Sequence, residues 1–239
     1  MSAFLWETSL YLIRHGEAVS NVEPIIGGME GDTGLTARGV DQCERLCDRL
    51  RQTGELRADV FISSTLPRTR QTAEIIAPAI DRPIIWDAEV QEMRPGDADG
   101  MTIAQLKETY GLPDWDRDPA GVIAPNGESW VTFMGRVARS LERIARAQRG
   151  KRVVVVCHGG VIDGSILHFM GLPVVPKPLV QFDTHNTSIT HWQQRQREGD
   201  PSPRWRLIGY NDYAHLREAP PISPIDWDED AARKATRLP

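Results

Sequence analysis

The chain has 239 residues, of which 40% are hydrophobic and 26% are charged, and its formal net charge at pH 7 is −5. These values suit one ordinary globular domain with a sizeable core. The acidic balance disfavours a nucleic-acid or anionic-membrane surface, which is usually basic. No apolar run approaches the roughly 18 residues that span a bilayer, so no membrane segment is expected.

Cysteine usage indicates a reducing compartment. The three cysteines, Cys43, Cys47 and Cys157, lack the spacing of a metal site. The first two fall on a predicted helix, and the third ends a run of valines. We therefore expect buried free thiols, and the cytoplasm is the expected location.

Hydrophobic periodicity predicts strands alternating with helices. Predicted strands span residues 9–13, 58–62, 83–86, 152–156, 179–182, 188–192 and 205–210, with a possible extension of the third over 90–92. Predicted helices run from the Thr36 cap to Gly54 and over residues 66–77, 102–110, 128–148 and 161–170. Pro78 is expected to end the second helix. This alternation predicts a three-layer α/β/α fold, with a mostly parallel central sheet and helices on both faces.

One catalytic domain is expected over residues 1–211, and an irregular tail is expected over residues 212–239 because periodicity is lost there. The helix over 128–148 carries arginines that we interpret as its solvated face, namely Arg136, Arg139, Arg143 and Arg146. Glu142 lies among them and no aromatic residues accompany them, so nucleic-acid binding is not expected.

Charged and polar residues follow three of the predicted strands. These groups are Arg14-His15-Gly16, Ser63-Ser64 with Arg68, and His158-Gly159-Gly160. Glu92 follows the possible extension of another strand. Because the carboxyl ends of parallel strands share one edge of a sheet, we expect these side chains to form one pocket.

This set of residue types favours phosphoryl transfer. Two arginines would repel a divalent cation, so a metal site is disfavoured and no cofactor is expected. A pocket that only binds phosphate needs no paired histidine and carboxylic acid. In phosphoryl transfer, by contrast, an imidazole attacks phosphorus, cations hold its oxygens, and an acid protonates the leaving group.

The motifs resemble those of the histidine phosphatase superfamily, also called the phosphoglycerate mutase-like family. The matching segments are residues 12–17 with Asn21, 35–39 with Gln42, 63–73, Glu92, 125–129, 158–160 and 186–189. The resemblance covers most of the chain and implies a phosphoglycerate mutase-like α/β fold and a small phosphorylated substrate. In this order and spacing the set is highly specific.

The resemblance also implies roles for individual residues. His15 would be the nucleophile that becomes phosphohistidine, and Glu92 would be the general acid and then the base that activates water. Arg14, Arg68 and His158 would hold the phosphoryl group, with Asn21 as a further contact. Asp97 and Asp99 remain alternatives to Glu92 as the acid. Glu17 and Glu128 are interpreted as structural partners of arginines, and Thr36 and Ser129 as helix caps.

The resemblance by itself does not distinguish phosphate ester hydrolysis from phosphoglycerate mutase activity. Cofactor-dependent mutases typically carry a tryptophan before the asparagine of the first loop and an arginine- and tyrosine-rich stretch after the general acid. Here Ser20 precedes Asn21, and Arg94 is the one arginine in the segment 93–99. We therefore expect a metal-independent phosphomonoester hydrolase of the histidine acid-phosphatase type. A mutase, or a non-catalytic phosphate-binding module, is the alternative; the substrate and oligomeric state stay open.

Overall fold

A computed structural model describes residues 4–178 and 180–217 of the chain. Its strands are β1 (Phe4–Arg14), β2 (Val60–Ser63), β3 (Ile84–Trp86), β4 (Arg152–Cys157), β5 (Ile189–Arg197) and β6 (Arg204–Asp212). Its helices are α1 (Val19–Val22), α2 (Ala37–Thr53), α3 (Pro67–Ile80), α4 (Ile103–Thr109), α5 (Trp130–Ala147) and α6 (Gly159–Met170). Short 3₁₀ turns occupy Ala88–Val90, Gly96–Ala98 and Ala214–Leu216.

Within the described ranges, the strands form one six-stranded sheet in the order β3-β2-β4-β1-β5-β6. The four strands from β3 to β1 are parallel, and β5 and β6 are antiparallel additions. The buried valine strand β4 lies between β2 and β1, as expected for a run that is apolar on both faces. The predicted mostly parallel sheet is confirmed.

The two faces of the sheet support two hydrophobic cores, because successive side chains of a strand point to opposite faces. Val153 and Val155 pack on one side with the apolar stripes of α5 and α6. Val154 and Val156 pack on the other side with those of α2 and α3. The result is the α/β/α layering predicted from the alternation of elements.

The predicted caps of the two amphipathic helices are confirmed. Thr36 accepts a hydrogen bond from the Gly39 amide at the start of α2, and Gly54 ends that helix in the left-handed conformation, with φ of 60°. Ser129 accepts a hydrogen bond from the Thr132 amide at the start of α5. These bonds satisfy backbone donors that have no partner within the helix.

Several predicted boundaries are wrong. Strand β1 begins at Phe4 and not at Ser9, and β5 continues to Arg197 and does not end at Trp192. Helix α3 does not stop before Pro78 but continues through it to Ile80. Ile80 lies four residues after Ile76, so both stay on the buried face and favour the extra turn. Residues 90–92 do not extend β3, because Val90 is the last residue of a 3₁₀ turn and the next two residues are irregular. Residues 180–182, which were predicted as part of a strand, form no strand. Leu179, the first residue of that predicted strand, lies outside the described residues.

The region predicted as a tail begins inside regular structure. Strand β6 continues to Asp212, and Leu216 in the following 3₁₀ turn is buried. The rest of the predicted tail, residues 218–239, lies outside the described residues. No helix in the described part of the chain combines the length and apolar character needed to cross a bilayer.

Candidate active site

The carboxyl ends of three parallel strands meet at one edge of the sheet. Strand β1 ends at Arg14, which is paired in register with Cys157 at the end of β4. Strand β2 ends beside them at Ser63. The residues that follow these three ends are His15, Ser64 and His158. The structure therefore brings together the groups that the sequence placed after separate strands.

His15 presents an unprotonated Nε2 to the site. Its Nδ1 lies 2.7 Å from the carbonyl oxygen of Gly16, which can only accept a hydrogen bond, so the ring proton is on Nδ1. The Nε2 lone pair then accepts a hydrogen bond from Arg68 Nε at 3.2 Å. This tautomer makes Nε2 the nucleophilic atom of the ring.

Both site histidines are held neutral. Burial lowers the pKa of His15 well below its usual value, and the charges of Arg68 and Arg14 lower it further. Burial also lowers the pKa of His158, again with help from the nearby cations. The two rings lie with centroids 5.2 Å apart. A dianionic phosphate between them would supply the negative charge that this group of cations lacks.

His158 is positioned at the start of α6. Its Nε2 lies 2.8 Å from Ser64 Oγ, and its buried Nδ1 has no hydrogen-bond partner among the described residues. A buried nitrogen without a hydrogen-bond partner destabilises the fold unless a ligand or water forms a hydrogen bond with it. The ring is therefore suited to contact a bound phosphoryl group.

Arg68 is fixed by Asp32, a residue that the sequence analysis did not single out. Asp32 Oδ2 accepts hydrogen bonds from Arg68 Nη1 at 2.9 Å and from the Arg68 amide at 3.0 Å. The Gly27 carbonyl accepts a further bond from Nη1 at 2.8 Å. The exposed fractions of the two paired side chains are 5% and 0%. The guanidinium therefore has one orientation before substrate arrives.

Removing Asp32 is expected to destabilise the fold. Asp32→Ala should lower the free energy of unfolding by about 3–5 kcal/mol, because it leaves the buried Arg68 charge without its partner. Urea unfolding at constant m value measures this change. The matched control is Asp41→Ala, which breaks an exposed pair with Arg45 and should cost less than about 1 kcal/mol. Equal losses in the two variants would contradict the assignment.

Arg14 and Asn21 lie beside His15 with part of their hydrogen-bonding capacity already used. Arg14 Nη1 donates to the Thr184 carbonyl, while its buried Nε has no hydrogen-bond partner among the described residues. Asn21 Oδ1 accepts from the Ala18 amide at 3.0 Å, so the Nδ2 amide group is the part of Asn21 that suits an anion. The phosphate contacts expected of Arg14 and Asn21 stay predictions.

Glu92 lies against the first turn of α6. Its Oε2 accepts a hydrogen bond from the Gly160 amide at 3.0 Å, and its Oε1 accepts one from the Met93 amide at 3.0 Å. A Cβ at position 160 would overlap the Glu92 carboxylate, so this close approach requires glycine. Arg14 is near enough for the charge of Glu92 to influence its pKa. Glu92 therefore lies near Arg14.

The two alternative acids are engaged elsewhere. Asp99 accepts hydrogen bonds from the amides of Gly28, Glu30 and Gly31 at 2.9–3.0 Å and so holds the loop after β1. Asp97 is exposed and accepts a hydrogen bond from Asn126 Nδ2 at 2.9 Å. These contacts favour Glu92 as the acid.

Arg136 corrects the expectation of a solvated arginine face on α5. It is 3% exposed and donates to both carboxylate oxygens of Glu128, at 2.7 and 2.6 Å. It also donates to the carbonyls of Gln91 and Glu92. The other three arginines of that series are exposed. Arg136 and Glu128 thus anchor the segment that carries Glu92, and the structural interpretation of Glu128 is confirmed.

The interpretation of Glu17 as structural is also confirmed. Glu17 Oε1 accepts a hydrogen bond from Thr36 Oγ1 at 2.7 Å, and Glu17 Oε2 lies 3.7 Å from Arg38 Nη1. Glu17 therefore ties the loop after β1 to the start of α2.

Sequence reasoning missed Asp32 and Asp163. The pattern Asp32-Thr33-Gly34 carries a turn signal, which the structure uses: Asp32 Oδ1 accepts a hydrogen bond from the Gly34 amide at 2.9 Å. Nothing local predicts its contact with Arg68, 36 residues later. Asp163 is a charged residue within an apolar helix, four residues after Gly159. That spacing places it on the helix face that begins at the site.

A family model decides the classification of this arrangement. The model of the histidine phosphatase superfamily (branch 1) matches residues 10–202. The chain belongs to the histidine phosphatase superfamily. The resemblance recognised from the motifs is therefore confirmed. Among residues 4–178 and 180–217, histidine, cysteine and acidic side chains form no cluster of three that would hold a metal ion.

Both phosphatases and a probable mutase are similar to this histidine phosphatase superfamily chain. The probable phosphoglycerate mutase GpmB of Escherichia coli O1:K1 is 35% identical over 168 residues, covering 69% of this chain and 75% of that protein. The mycobacterial glucosyl-3-phosphoglycerate phosphatase has 26% identity and a TM-score of 0.68, covering 85% of this chain and 98% of its own. The α-ribazole phosphatase of Shigella flexneri has 25% identity and a TM-score of 0.71, covering 86% and 96%.

Proposed function

We propose that the protein is a metal-independent phosphomonoester hydrolase of the histidine acid-phosphatase type, acting through a phosphohistidine on a small phosphorylated metabolite. The observation that carries this proposal is the unprotonated Nε2 of His15, held by Arg68 Nε among two guanidiniums and a second neutral histidine. This arrangement combines a nucleophile with fixed positive charge for the phosphoryl oxygens.

In the first step, His15 Nε2 attacks phosphorus and forms an N–P bond as the ester P–O bond breaks. The departing oxygen takes a proton from the carboxylic acid of Glu92. Arg14 and Arg68 neutralise the charge on the phosphoryl oxygens, and His158 contributes a hydrogen bond. Membership of the superfamily supports this assignment of roles.

In the second step, the Glu92 carboxylate removes a proton from water. The water oxygen attacks phosphorus and the N–P bond breaks, which releases inorganic phosphate. His15 regains its Nε2 lone pair, and Glu92 regains its proton. The same carboxyl group thus serves as acid and then as base, which requires no other titrating group.

Hydrolysis is favoured over mutase activity by the contacts of Arg94. A mutase must bind the carboxylate of phosphoglycerate near the general acid, and Arg94 is the arginine that follows Glu92 most closely. Its guanidinium already binds Gln91 Oε1, the Ala88 carbonyl and Glu89 Oε1 at 2.9–3.2 Å. This cation is committed within its own segment, so water is the favoured acceptor.

The test is turnover of p-nitrophenyl phosphate in excess EDTA, followed by an alkaline quench and peptide mapping. We expect chelator-insensitive release of phosphate and one transient phosphoryl group on the peptide that contains His15. Turnover that EDTA abolishes would overturn the metal-free mechanism. Formation of 2-phosphoglycerate from 3-phosphoglycerate with 2,3-bisphosphoglycerate, without comparable hydrolysis, would show a mutase instead. Phosphate binding without either reaction would leave a non-catalytic module.

A further inference from the structure

Asp163 is a half-buried residue whose carboxyl group the proposed mechanism does not use. It lies on α6, four residues after Gly159 and three after the glycine that contacts Glu92. Its Oδ1 is buried and has no hydrogen-bond partner among the described residues. Burying an oxygen without a hydrogen-bond donor destabilises the fold, so we look for a ligand group that could donate a hydrogen bond to it.

The charged groups that face Asp163 come from separate parts of the fold. The pKa of Asp163 is raised to about 7, mainly by burial and also by the charges of Glu92 and Asp183, while the charge of Arg14 opposes the shift. The pKa of Tyr210 on β6 is raised by burial and also responds to Asp163, Asp183 and Arg14. Asp163 therefore belongs to the same local cluster as the proposed general acid.

Tyr210 fixes the far side of this cluster. Its hydroxyl donates to the Asp183 carbonyl at 2.9 Å and lies 3.0 Å from Thr184 Oγ1. The Thr184 carbonyl in turn accepts from Arg14. The segment that carries Asp183 is thus tied to the same arginine that borders the phosphate position.

The leaving group of a substrate would enter this cluster. With phosphorus facing His15 Nε2, the ester oxygen must face Glu92, the group that protonates it. The remainder of the substrate then passes beside Asp163 and Asp183. The carboxyl groups of Glu92 and Asp183 are near enough to Asp163 for their charges to influence it, and the nearby cation Arg14 is needed by the phosphoryl group. Negative charge on the leaving group would be repelled there, whereas a donor would find an unpaired oxygen.

We propose that Asp163 is a specificity-determining residue, which selects phosphomonoesters that carry an ammonium group near the ester oxygen over those that carry a carboxylate there. The inference rests on the proposed function and extends it to a substrate class. A donor on the leaving group completes the hydrogen bonding of Asp163 Oδ1. A carboxylate in the same place leaves that oxygen unpaired and adds another negative charge beside Asp163 and Asp183.

The test uses O-phosphoethanolamine and 2-phosphoglycolate as competitors of p-nitrophenyl phosphate hydrolysis. The two are close in size and differ in the sign of the terminal charge, so the ratio of their inhibition constants isolates that charge. We expect the wild type to bind the ammonium compound at least about tenfold more tightly. Asp163→Asn, which keeps the size but cannot ionise, should reduce this preference about tenfold. Asp183→Asn, at an exposed position, should change it less than about threefold because water screens that charge.

The pH dependence of the same ratio needs no variant. Asp163 is neutral below its pKa and negative above it, so the preference for the ammonium compound should rise between pH 6 and 8 in the wild type. The phosphate groups of the two competitors titrate at different pH, because an ammonium group lowers and a carboxylate raises the phosphate pKa. Asp163→Asn contains the same phosphate titration, so the rise should be smaller in that variant by the part that Asp163 contributes.

Three results would overturn the inference while leaving the hydrolase intact. They are a wild-type preference for phosphoglycolate, a ratio independent of both pH and Asp163→Asn, and no competition by either compound. Absence of p-nitrophenyl phosphate turnover by the wild type would instead overturn the proposed function on which the inference rests.

Discussion

His15→Ala is expected to lower kcat/KM for p-nitrophenyl phosphate by about 10⁴-fold or more, because it removes the nucleophile and with it the covalent route. The surrounding guanidiniums would still bind phosphate in the variant. The transient phosphoryl group on the protein should disappear as well. Steady-state turnover together with intact-protein mass after an alkaline quench measures both effects.

A histidine outside the site provides the control for this variant. His168 lies near the end of α6, where its Nε2 contacts Glu142 Oε1 at 3.0 Å. His168→Ala should retain kcat/KM within about threefold, since surface changes of this kind have small effects. Retention of more than a few per cent of activity by His15→Ala would show that another group accepts the phosphoryl.

Glu92→Gln is expected to lower activity by an amount that depends on the leaving group. For an alkyl phosphate such as glycerol 3-phosphate, the loss should be about 10²–10⁴-fold, because the alkoxide cannot leave without a proton. For p-nitrophenyl phosphate, whose leaving group departs unaided, formation of the phosphohistidine should slow by about tenfold or less. Single-turnover measurements of enzyme phosphorylation with both substrates test this contrast. They exclude the second step, in which the proposed mechanism assigns Glu92 the role of base for either substrate.

The same experiment separates Glu92 from its two alternatives. Asp97→Asn should have little effect on either substrate, because Asp97 is exposed and bound to Asn126. Asp99→Asn should affect both substrates alike, because Asp99 holds the amides of the loop after β1. A loss confined to alkyl phosphates in either variant, with Glu92→Gln unaffected, would reassign the acid.

Elements with long periodic patterns were predictable, and short ones were not. The ends of α2 and α5 follow from Thr36, Gly54 and Ser129, whose capping roles are local. The segment Val90-Gln91-Glu92 holds one apolar residue, and so short a segment has no periodicity that distinguishes a strand from a 3₁₀ turn, which explains the error over residues 90–92. Residues 180–182 have an apolar pattern but form no strand. That segment leads to Thr184 and Asn186, which bind the backbone and side chains at the site instead of a neighbouring strand.

The error at Arg136 has a different origin. A series of arginines along one helix predicts a solvated face, and this holds for Arg139, Arg143 and Arg146. Arg136 lies in the same series but meets Glu128 and the carbonyls around Glu92. Which arginine of a series becomes buried depends on the chain that packs over the helix, and helical periodicity contains no such information.

The sequence by itself determined the family, the layered fold and the placement of Arg14, His15 and His158 at strand ends. Each of these follows from a local pattern, because an apolar strand that stops at a charged residue delivers that residue to the edge of the sheet. The tertiary structure alone decided how the charges are paired. Asp32 binds Arg68, 36 residues later in the chain, and Glu92 binds the Gly160 amide, 68 residues later. The fold also buries the Oδ1 atom of Asp163. Electrostatic interactions depend on distance and exposure, and both are properties of the folded chain.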